Sequence, residues 1–256
     1  MKKKKTVEII KDSLLLFLLL IAPILAYNYF IKGTNNFVKL AVIGEENHVI
    51  PDFSFVNQHN DTITNDYYQD KIYIANFFFT SCPTICPTMI YNMKYMQEEL
   101  SIYPDIEFIS HTVDPLNDTP DRLLDYVRSM RIKDDNWNFV TGSKDSIYKI
   151  APYYLASASE DEIAPGGFLH SQNIVIIDKE GRVRSGYKNF VCEECGDVSK
   201  NSKLECPTTG KINTYRGNVL GGYDGLKEHV IKDMIKDVKT LLAEYHEEKT
   251  VERHAK

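Results

Sequence analysis

The chain has 256 residues, of which 43% are hydrophobic and 26% are charged, a composition that predicts a globular protein with a sizeable core. It excludes an intrinsically disordered chain, a collagen and a small domain held by dense disulfides. Six lysines against Glu8 and Asp12 give residues 1–32 a net charge of +4, which leaves −10 for the remainder of a chain whose total is −6. Such an acidic remainder argues against nucleic-acid binding, which depends on clustered Lys and Arg.

The N-terminal region predicts a membrane anchor. Residues 13–31 form a run of 19 residues without a charge, SLLLFLLLIAPILAYNYFI, and about 20 mostly apolar residues cross a bilayer. The lysines before the run favour a cytoplasmic location for residues 1–12, which sends the rest of the chain across the membrane. A cleaved signal peptide is the alternative, with Ala26 as the cleavage position, but its apolar part is usually only about 7–15 residues long. We expect an uncleaved single-pass anchor in a bacterial inner membrane, with the globular part in the periplasm.

Residues 32–50 are expected to be a linker, after which strands and helices alternate. Residues 53–58, FSFVNQ, predict a short strand, and the polar residues 59–61 predict the turn of a first hairpin. The β-rich run 72–80, IYIANFFFT, predicts a buried central strand that ends directly before Ser81-Cys82.

A helix is predicted from Pro87 onward, because Met89, Met93, Met96 and Leu100 recur at helical spacing. Methionines at this spacing usually fill gaps in a core, so core packing is the favoured interpretation. Copper ligation by the methionines is the alternative.

The alternation continues with a second strand over residues 106–113. Thr119 and Pro120 then predict a helix, with Thr119 as the N-cap and Pro120 at the first helical position. A strand over residues 137–140 and a helix beginning near Lys144 follow.

The C-terminal part predicts a hairpin and a long helix. The strands of the hairpin are expected over residues 171–177 and 182–187, with the turn at Gly181. The last helix is predicted by a single apolar stripe, formed by Leu226, Val230, Ile231, Met234, Ile235, Val238, Leu241, Leu242 and Tyr245. The predicted fold class is therefore α/β, a mixed sheet flanked by helices over residues 51–247, with a polar tail over residues 248–256.

Five cysteines fall into two groups, and an odd number cannot all pair within one chain. Cys82 and Cys86 lie where the central strand gives way to a helix, a place where ligand sites form and where the helix dipole lowers the pKa of a thiol. Three residues separate the two cysteines, whereas a thioredoxin-type redox motif has two.

The spacing of Cys82 and Cys86 bears on their chemistry. Residues four apart on a helix have Cβ atoms about 5–6 Å apart, and a disulfide needs about 3.5–4.5 Å. A disulfide therefore requires a distorted first turn, which Pro83 could supply, whereas a metal ion bridges the gap without strain. Two thiolates favour Cu(I) or Zn(II) and require at least one further ligand.

His170 is the candidate third ligand. Five of the seven histidines fall in the tail, the linker, a hairpin loop or the last helix: His246, His254, His48, His59 and His229. His111 lies late in the second strand and is expected in the core or behind the ligands. His170 ends the loop over residues 164–169 just before a strand, and its imidazole would complete a Cys2His site. A hydrogen bond that caps the loop is the alternative role for His170.

Three runs, FFFTSCPTICPTM, TVDPLNDTPDRL and FLHSQNIVIIDKEGRVR, occur in this order. Together they resemble the Sco/SenC family of thioredoxin-fold, membrane-anchored copper proteins, over about residues 51–187 and again over about residues 221–244. The resemblance implies a thioredoxin-like fold in which Cys82, Cys86 and His170 bind copper. It also implies that Asp114 lies near the metal and affects metallation, although a cap at the end of the strand is an equally simple role for Asp114.

The resemblance further implies a function in assembling the copper centre of cytochrome c oxidase. The expected partner is subunit II of that enzyme or another copper-site protein. The favoured hypothesis is a metallochaperone, which is not an enzyme; the alternative is a thiol-disulfide oxidoreductase that keeps partner cysteines reduced. His170 distinguishes the two hypotheses, because thiol exchange does not require it. A peroxidase of the peroxiredoxin kind is disfavoured, because FFFTS precedes Cys82 without the usual Pro and Thr.

One departure from the family pattern is an insert of about thirty residues, near 188–220. It contains Cys192, Cys195 and Cys206, and Thr209 occupies the place where a second zinc-knuckle half would have its last cysteine. A disulfide from Cys206 to Cys192 or Cys195, a structural or auxiliary metal site, and free thiols are the three interpretations.

Overall fold

The computed structural model describes residues 17, 19–25, 40–44, 48–186, 190–191, 198–199 and 221–254. The chain divides into two units, residues 1–38 and residues 39–256. The described residues of the first unit are helical. Among the helices that the structure describes, none combines the length and the apolar composition that crossing a bilayer requires. The anchor predicted over residues 13–31 lies largely outside the described residues.

The second unit is built on a mixed β-sheet. The described strands are β1 (Ala41–Val42), β2 (Ser54–Asn57), β3 (Thr62–Thr64), β4 (Ile72–Phe78), β5 (Ile106–Thr112), β6 (Trp137–Thr141), β7 (Ala158–Glu160), β8 (Phe168–His170), β9 (Asn173–Ile177), β10 (Val183–Ser185), β11 (Phe190–Val191), β12 (Val198–Ser199) and β13 (Tyr223–Asp224). The described α-helices of this unit are α1 (Cys86–Leu100), α2 (Pro120–Ser129), α3 (Lys144–Ile150) and α4 (Glu228–His254), and two short 3-10 helices span Asn65–Tyr68 and Ala151–Tyr154.

The main sheet has the order β1-β10-β9-β4-β5-β6-β2-β3, and β13 pairs with β9. Strands β4, β5 and β6 are parallel, and β9 runs antiparallel to β4. All seven residues of β4 are buried, as expected for a continuous β-branched and aromatic run at the centre of a sheet covered on both faces. The predicted mixed α/β sheet flanked by helices is confirmed.

The parallel register of β4 and β5 positions the candidate site. Phe78 is paired with Thr112, so both strands end at the same level of the sheet. Cys82 follows the first strand end and the run beginning at Asp114 follows the second. Helix α1 begins at Cys86, one residue before the predicted start, and its three methionines are fully buried in the core, as the favoured interpretation predicts.

The structure differs from the sequence-based expectation in the segment over residues 32–50. Ala41 and Val42 pair with Arg184 and Ser185 of β10, and Leu40 is buried. The buried Arg184 donates from Nη2 to the Leu40 carbonyl oxygen (3.0 Å) and to Glu244 of α4 (2.6 Å). The backbone N–H of Leu40 donates to the same carboxylate. The globular fold therefore begins before Pro51. The sequence did not predict this strand because two residues are too few to show periodicity.

A second difference concerns the segment before His170. The sequence indicates a loop there, whereas Phe168–His170 forms β8 and pairs with β7 in a separate two-stranded sheet. His170 is therefore the last residue of a hairpin strand.

Candidate metal centre

Two cysteines are presented by the strand-to-helix connection after β4. The backbone N–H of Cys82 donates to the carbonyl oxygen of Phe79 (3.3 Å), which turns the chain sharply at the end of the strand. Cys86 is the first residue of α1 and Pro87 follows it in the first turn, where a missing N–H costs nothing. Neither cysteine forms a disulfide in this structure.

The hairpin of β7 and β8 carries the histidine toward these cysteines. Its loop contains Gly166 with φ +83°, a left-handed conformation that favours glycine. A Cβ atom on Gly166 would lie 2.7 Å from the Phe79 ring and 3.3 Å from Cδ of Pro83. Because glycine lacks that atom, the hairpin can pack directly on the segment that contains Cys82.

The side chains of Cys82, Cys86 and His170 converge at this point. The Nε2 atom of His170 lies 3.2 Å from Sγ of Cys86 and 4.0 Å from Sγ of Cys82, and all three donor atoms lie within 4.8 Å of one another. Metal–sulfur and metal–nitrogen bonds of about 2.3 and 2.0 Å in a trigonal arrangement would place sulfur and nitrogen about 3.7 Å apart. The observed distances bracket this value, so the three residues fit one metal ion.

The imidazole of His170 is oriented by a hydrogen bond at Nδ1. Nδ1 of His170 lies 3.1 Å from the carbonyl oxygen of Ser171, a partner that accepts only from a protonated nitrogen. This contact places the ring proton on Nδ1 and leaves the lone pair of Nε2 facing the two sulfurs.

A sequence profile described as SCO1/SenC matches residues 42–194, more than half of the chain. The chain belongs to the SCO1/SenC family. A SCO1 protein homolog of Bacillus subtilis is 30% identical over 161 residues, which cover 61% of this chain and 82% of the homolog. A protein of Stutzerimonas stutzeri, named for a proposed role in copper binding, is 25% identical over 142 residues, which cover 53% of this chain and 67% of that protein.

A solved structure shares the SCO1/SenC fold. It is that of BsSco, described as a member of the Sco family of cytochrome c oxidase assembly proteins in which a disulfide switch was identified. Its sequence is 24% identical, the TM-score is 0.57, and the similarity covers 78% of this chain and 96% of that chain. This likeness supports the thioredoxin-like assignment of the fold.

In this SCO1/SenC site the two thiols ionise very differently. The hydrogen bond from Cys86 is the main cause that lowers the pKa of Cys82 to about 3, and hydrogen bonds from the backbone N–H groups of Cys86 and Thr84 act in the same direction against the desolvation. The same interaction with Cys82, followed by burial, raises the pKa of Cys86 well above its usual range. The pair therefore holds one negative charge, a Cys82 thiolate that accepts from the Cys86 thiol.

Asp118 supports the cysteine segment and is a residue that the sequence analysis missed. Its fully buried carboxylate accepts from the backbone N–H of Thr80 (3.0 Å), from the Thr80 hydroxyl and from the Thr112 hydroxyl. Its negative charge also contributes to raising the pKa of Cys86. The available signal was a second aspartate in the run DPLNDTP, directly before the helix cap at Thr119.

Asp114, the acidic residue predicted near the metal, is buried four residues earlier in the same run. Its carboxylate accepts from Nδ2 of Asn117 at 3.0 and 2.9 Å, and its carbonyl oxygen accepts from the N–H groups of Asn117 and Asp118. Burial is the main cause that raises its pKa. These contacts suit a cap at the end of β5, and an effect of Asp114 on metallation stays a prediction.

Of the remaining candidate residues, the structure describes His111 but not the insert cysteines. His111 lies in the core, with its ring packed against Phe55, Phe77 and Tyr154 and with neither nitrogen hydrogen-bonded. Burial lowers its pKa to about 3. The insert cysteines, Cys192, Cys195 and Cys206, lie outside the described residues, so all three interpretations of the insert stay open.

Proposed function

We propose that this SCO1/SenC protein is a copper-binding metallochaperone for the assembly of cytochrome c oxidase. The observation that carries the proposal is the convergence of two free cysteine sulfurs and one imidazole nitrogen within 4.8 Å. In this proposal Cys82, Cys86 and His170 hold the cargo ion, and subunit II of the oxidase or another copper-site protein receives it.

The donor set supports Cu(I) over Zn(II) as the cargo. Thiolates are soft ligands that select Cu(I), whereas structural zinc is almost always bound by four ligands in a tetrahedron. Among the described residues, the group that can hold a metal contains only Cys82, Cys86 and His170. Family membership and the proposed copper-binding role of the S. stutzeri relative support the same choice.

Delivery of copper requires no chemical conversion of a substrate. The site has only to hold the ion and release it to the acceptor. Transfer of Cu(I) leaves its oxidation state unchanged, while two thiols of the acceptor lose their protons and bind the ion. One proton can return to Cys86, whose pKa lies far above that of Cys82, and the other passes to solvent because Cys82 stays a thiolate.

A thiol-disulfide oxidoreductase is the second candidate function. It is favoured by the stabilised Cys82 thiolate beside a second thiol, the pairing that attacks a partner disulfide and then resolves the mixed disulfide. In that reaction the partner disulfide gains two electrons and Cys82 and Cys86 form the new disulfide.

The location is part of the proposal. Residues 1–12 would lie in the cytoplasm, residues 13–31 would anchor the chain in a bacterial inner membrane, and the domain over residues 51–247 would lie in the periplasm. The uncharged run and the lysines that precede it support this arrangement.

The deciding experiment is an anaerobic Cu(I) titration of the full chain with competing chelators. We expect one tight equivalent that Cys82→Ser or Cys86→Ser abolishes and that His170→Ala weakens. The matched control changes Cys192, Cys195 and Cys206 to Ser, which should leave this equivalent intact. Unaltered affinity in either single cysteine variant would overturn the site. Indifference to His170→Ala, together with a readily reduced Cys82–Cys86 disulfide, would favour the oxidoreductase.

A further inference from the structure

Two exposed apolar side chains lie on loops that contact the segment carrying Cys82. Ile163 is 95% exposed and Leu116 is 80% exposed, which makes them the two most exposed large apolar side chains among the described residues of the second unit. Single exposed apolar residues are common on protein surfaces and need no explanation alone. The location of these two residues distinguishes them.

Ile163 is held in a fixed loop. Around it the N–H of Asp161 donates to the carbonyl oxygen of Gly167 (3.0 Å), and the N–H of Gly167 donates to that of Ala164 (2.9 Å). The N–H of Ile163 itself donates to the carboxylate of Asp161 (2.9 Å). Presenting Ile163 to a partner therefore costs little additional ordering of the chain.

Leu116 is held in the same manner. It lies within the turn closed by the bonds from the N–H groups of Asn117 and Asp118 to the Asp114 carbonyl oxygen, and the Asn117 amide also binds the Asp114 carboxylate. The two apolar side chains thus project from two preorganised loops, residues 114–119 and 161–167.

Both loops contact the segment that carries Cys82. Gly166 of one loop packs against Phe79 and Pro83, and Asp118 of the other binds the backbone and hydroxyl of Thr80. Helix α3 contacts the residue that precedes each loop. The Tyr148 hydroxyl donates to the carbonyl oxygen of Val113 (2.9 Å), and Lys144 pairs with Glu160.

The surroundings of the two apolar residues are acidic. Of the six carboxylates in residues 114–122 and 158–170, Asp114 and Asp118 are buried, and Asp118 and Glu160 are paired with Arg122 and Lys144. Asp121, Asp161 and Glu162 form no ion pair with another described residue. This field attracts a basic partner and repels an acidic one.

We propose that Leu116 and Ile163 form a docking surface for the protein that accepts the copper ion. The acceptor fits if its own thiols are bordered by an apolar surface and by Lys or Arg side chains. Cys82 and Cys86 are only 8% and 1% exposed, so acceptor thiols must be held close to exchange with them, and a two-point apolar contact provides that hold. This inference rests on the proposed chaperone function and names how its partner is recognised.

The test compares copper transfer to a protein and to a small molecule. Full chain loaded with Cu(I) is mixed anaerobically with the reduced, metal-free copper domain of subunit II from the same organism, or with a Cu(I) chelator. The variants are Leu116→Ser, Ile163→Ser and the double variant. The matched control is Ile102→Ser, because Ile102 is 75% exposed and lies beyond the far end of the helix that begins at Cys86, about 22 Å away.

We expect the double variant to transfer copper to the subunit II domain at least tenfold more slowly, with copper affinity and transfer to the chelator unchanged. Ile102→Ser should resemble the wild type in every assay, and added salt should slow transfer to the protein alone. Equal rates for the double variant and Ile102→Ser would overturn the docking surface while leaving the chaperone function intact.

Three further outcomes would each lead to a different conclusion. Transfer to the chelator but not to the subunit II domain by the wild type would show that this partner is wrong and would overturn the inference. Self-association of the wild type that the double variant loses would assign the surface to a second copy of this chain. Failure to bind Cu(I) at all would overturn the proposed function itself.

Discussion

The ring of Phe79 lies edge-to-face against the imidazole of His170, with ring centroids 5.6 Å apart and planes at 88°. Phe79 also contacts Phe168 of the same hairpin at 5.2 Å. Since the hairpin of β7 and β8 is not part of the main sheet, this packing connects the histidine to the core.

Phe79→Leu should therefore weaken the participation of His170 in metal binding. We expect copper affinity to fall by about tenfold, as for the loss of roughly 1–1.5 kcal/mol of aromatic packing. The spectroscopic signature of imidazole ligation to Cu(II) should diminish. Phe78→Leu is the matched control, because Phe78 is equally buried but packs on Phe139 and Tyr126. Equal effects of the two substitutions would refute a positioning role for Phe79.

The ionisation of Cys82 should depend on its neighbour. With Cys192, Cys195 and Cys206 changed to Ser, the ultraviolet thiolate absorbance should persist as the pH is lowered to about 5, since the Cys82 pKa lies near 3. Cys86→Ala removes the largest cause of the lowering and should move the titration upward toward the ordinary thiol range, about pH 8.5. If the wild-type thiol already titrated in the ordinary range, Cys82 would not be a thiolate stabilised by the Cys86 thiol.

Asp118→Asn should damage the cysteine segment more than Asp114→Asn does. The amide cannot accept all the hydrogen bonds that the carboxylate receives from Thr80 and Thr112, and leaving buried donors unsatisfied costs about 1–3 kcal/mol. Urea unfolding should show this loss, and a Cu(I) titration should show reduced affinity. The same titration of Asp114→Asn tests the predicted effect of that residue on metallation, and unchanged affinity would leave it only the role of a strand cap.

The buried His111 should make the fold sensitive to acid. Below about pH 6.5 the unfolded histidine binds a proton. The folded one stays neutral down to about pH 3, so stability falls as the pH falls through this window. Between about pH 7 and about pH 5 the loss should be about 2 kcal/mol.

Urea unfolding at the two pH values measures the effect. His111→Leu and His111→Phe should both lose this part of the pH dependence, and the control His229→Gln, at an exposed position on α4, should retain it. An identical pH dependence in the wild type and in both His111 variants would show that the pKa of this histidine is the same in the folded and unfolded states.

Much of the fold follows from local signals in the sequence. The buried run of β4, the Thr119 cap with Pro120, and the turn at Gly181 (φ +75°) each predict their element from residue chemistry alone. The short elements, β1 and the hairpin of β7 and β8, could not be predicted in this way, because two or three residues carry no periodicity and depend on their partners in the fold.

The same division holds for the site. Cys82, Cys86 and His170 are distinctive residue types, and their placement together agrees with the prediction. Asp118 was not predicted because its role depends on hydrogen bonds to Thr80, 38 residues earlier, which sequence spacing does not reveal.

Gly186 and Tyr223 mark the two ends of the insert, and they touch: the N–H of Gly186 donates to the Tyr223 hydroxyl at 3.0 Å. The strands that flank the insert, β10 and β13, both pair with β9. The chain thus leaves the sheet and returns to it at nearly the same place, and lengthening such a loop costs only about 0.6 kcal/mol per doubling. During evolution, sequence can accumulate or disappear at this junction without altering the register of the sheet. Related proteins can in this way differ in the length and sequence of the insert while keeping the strands on either side of it.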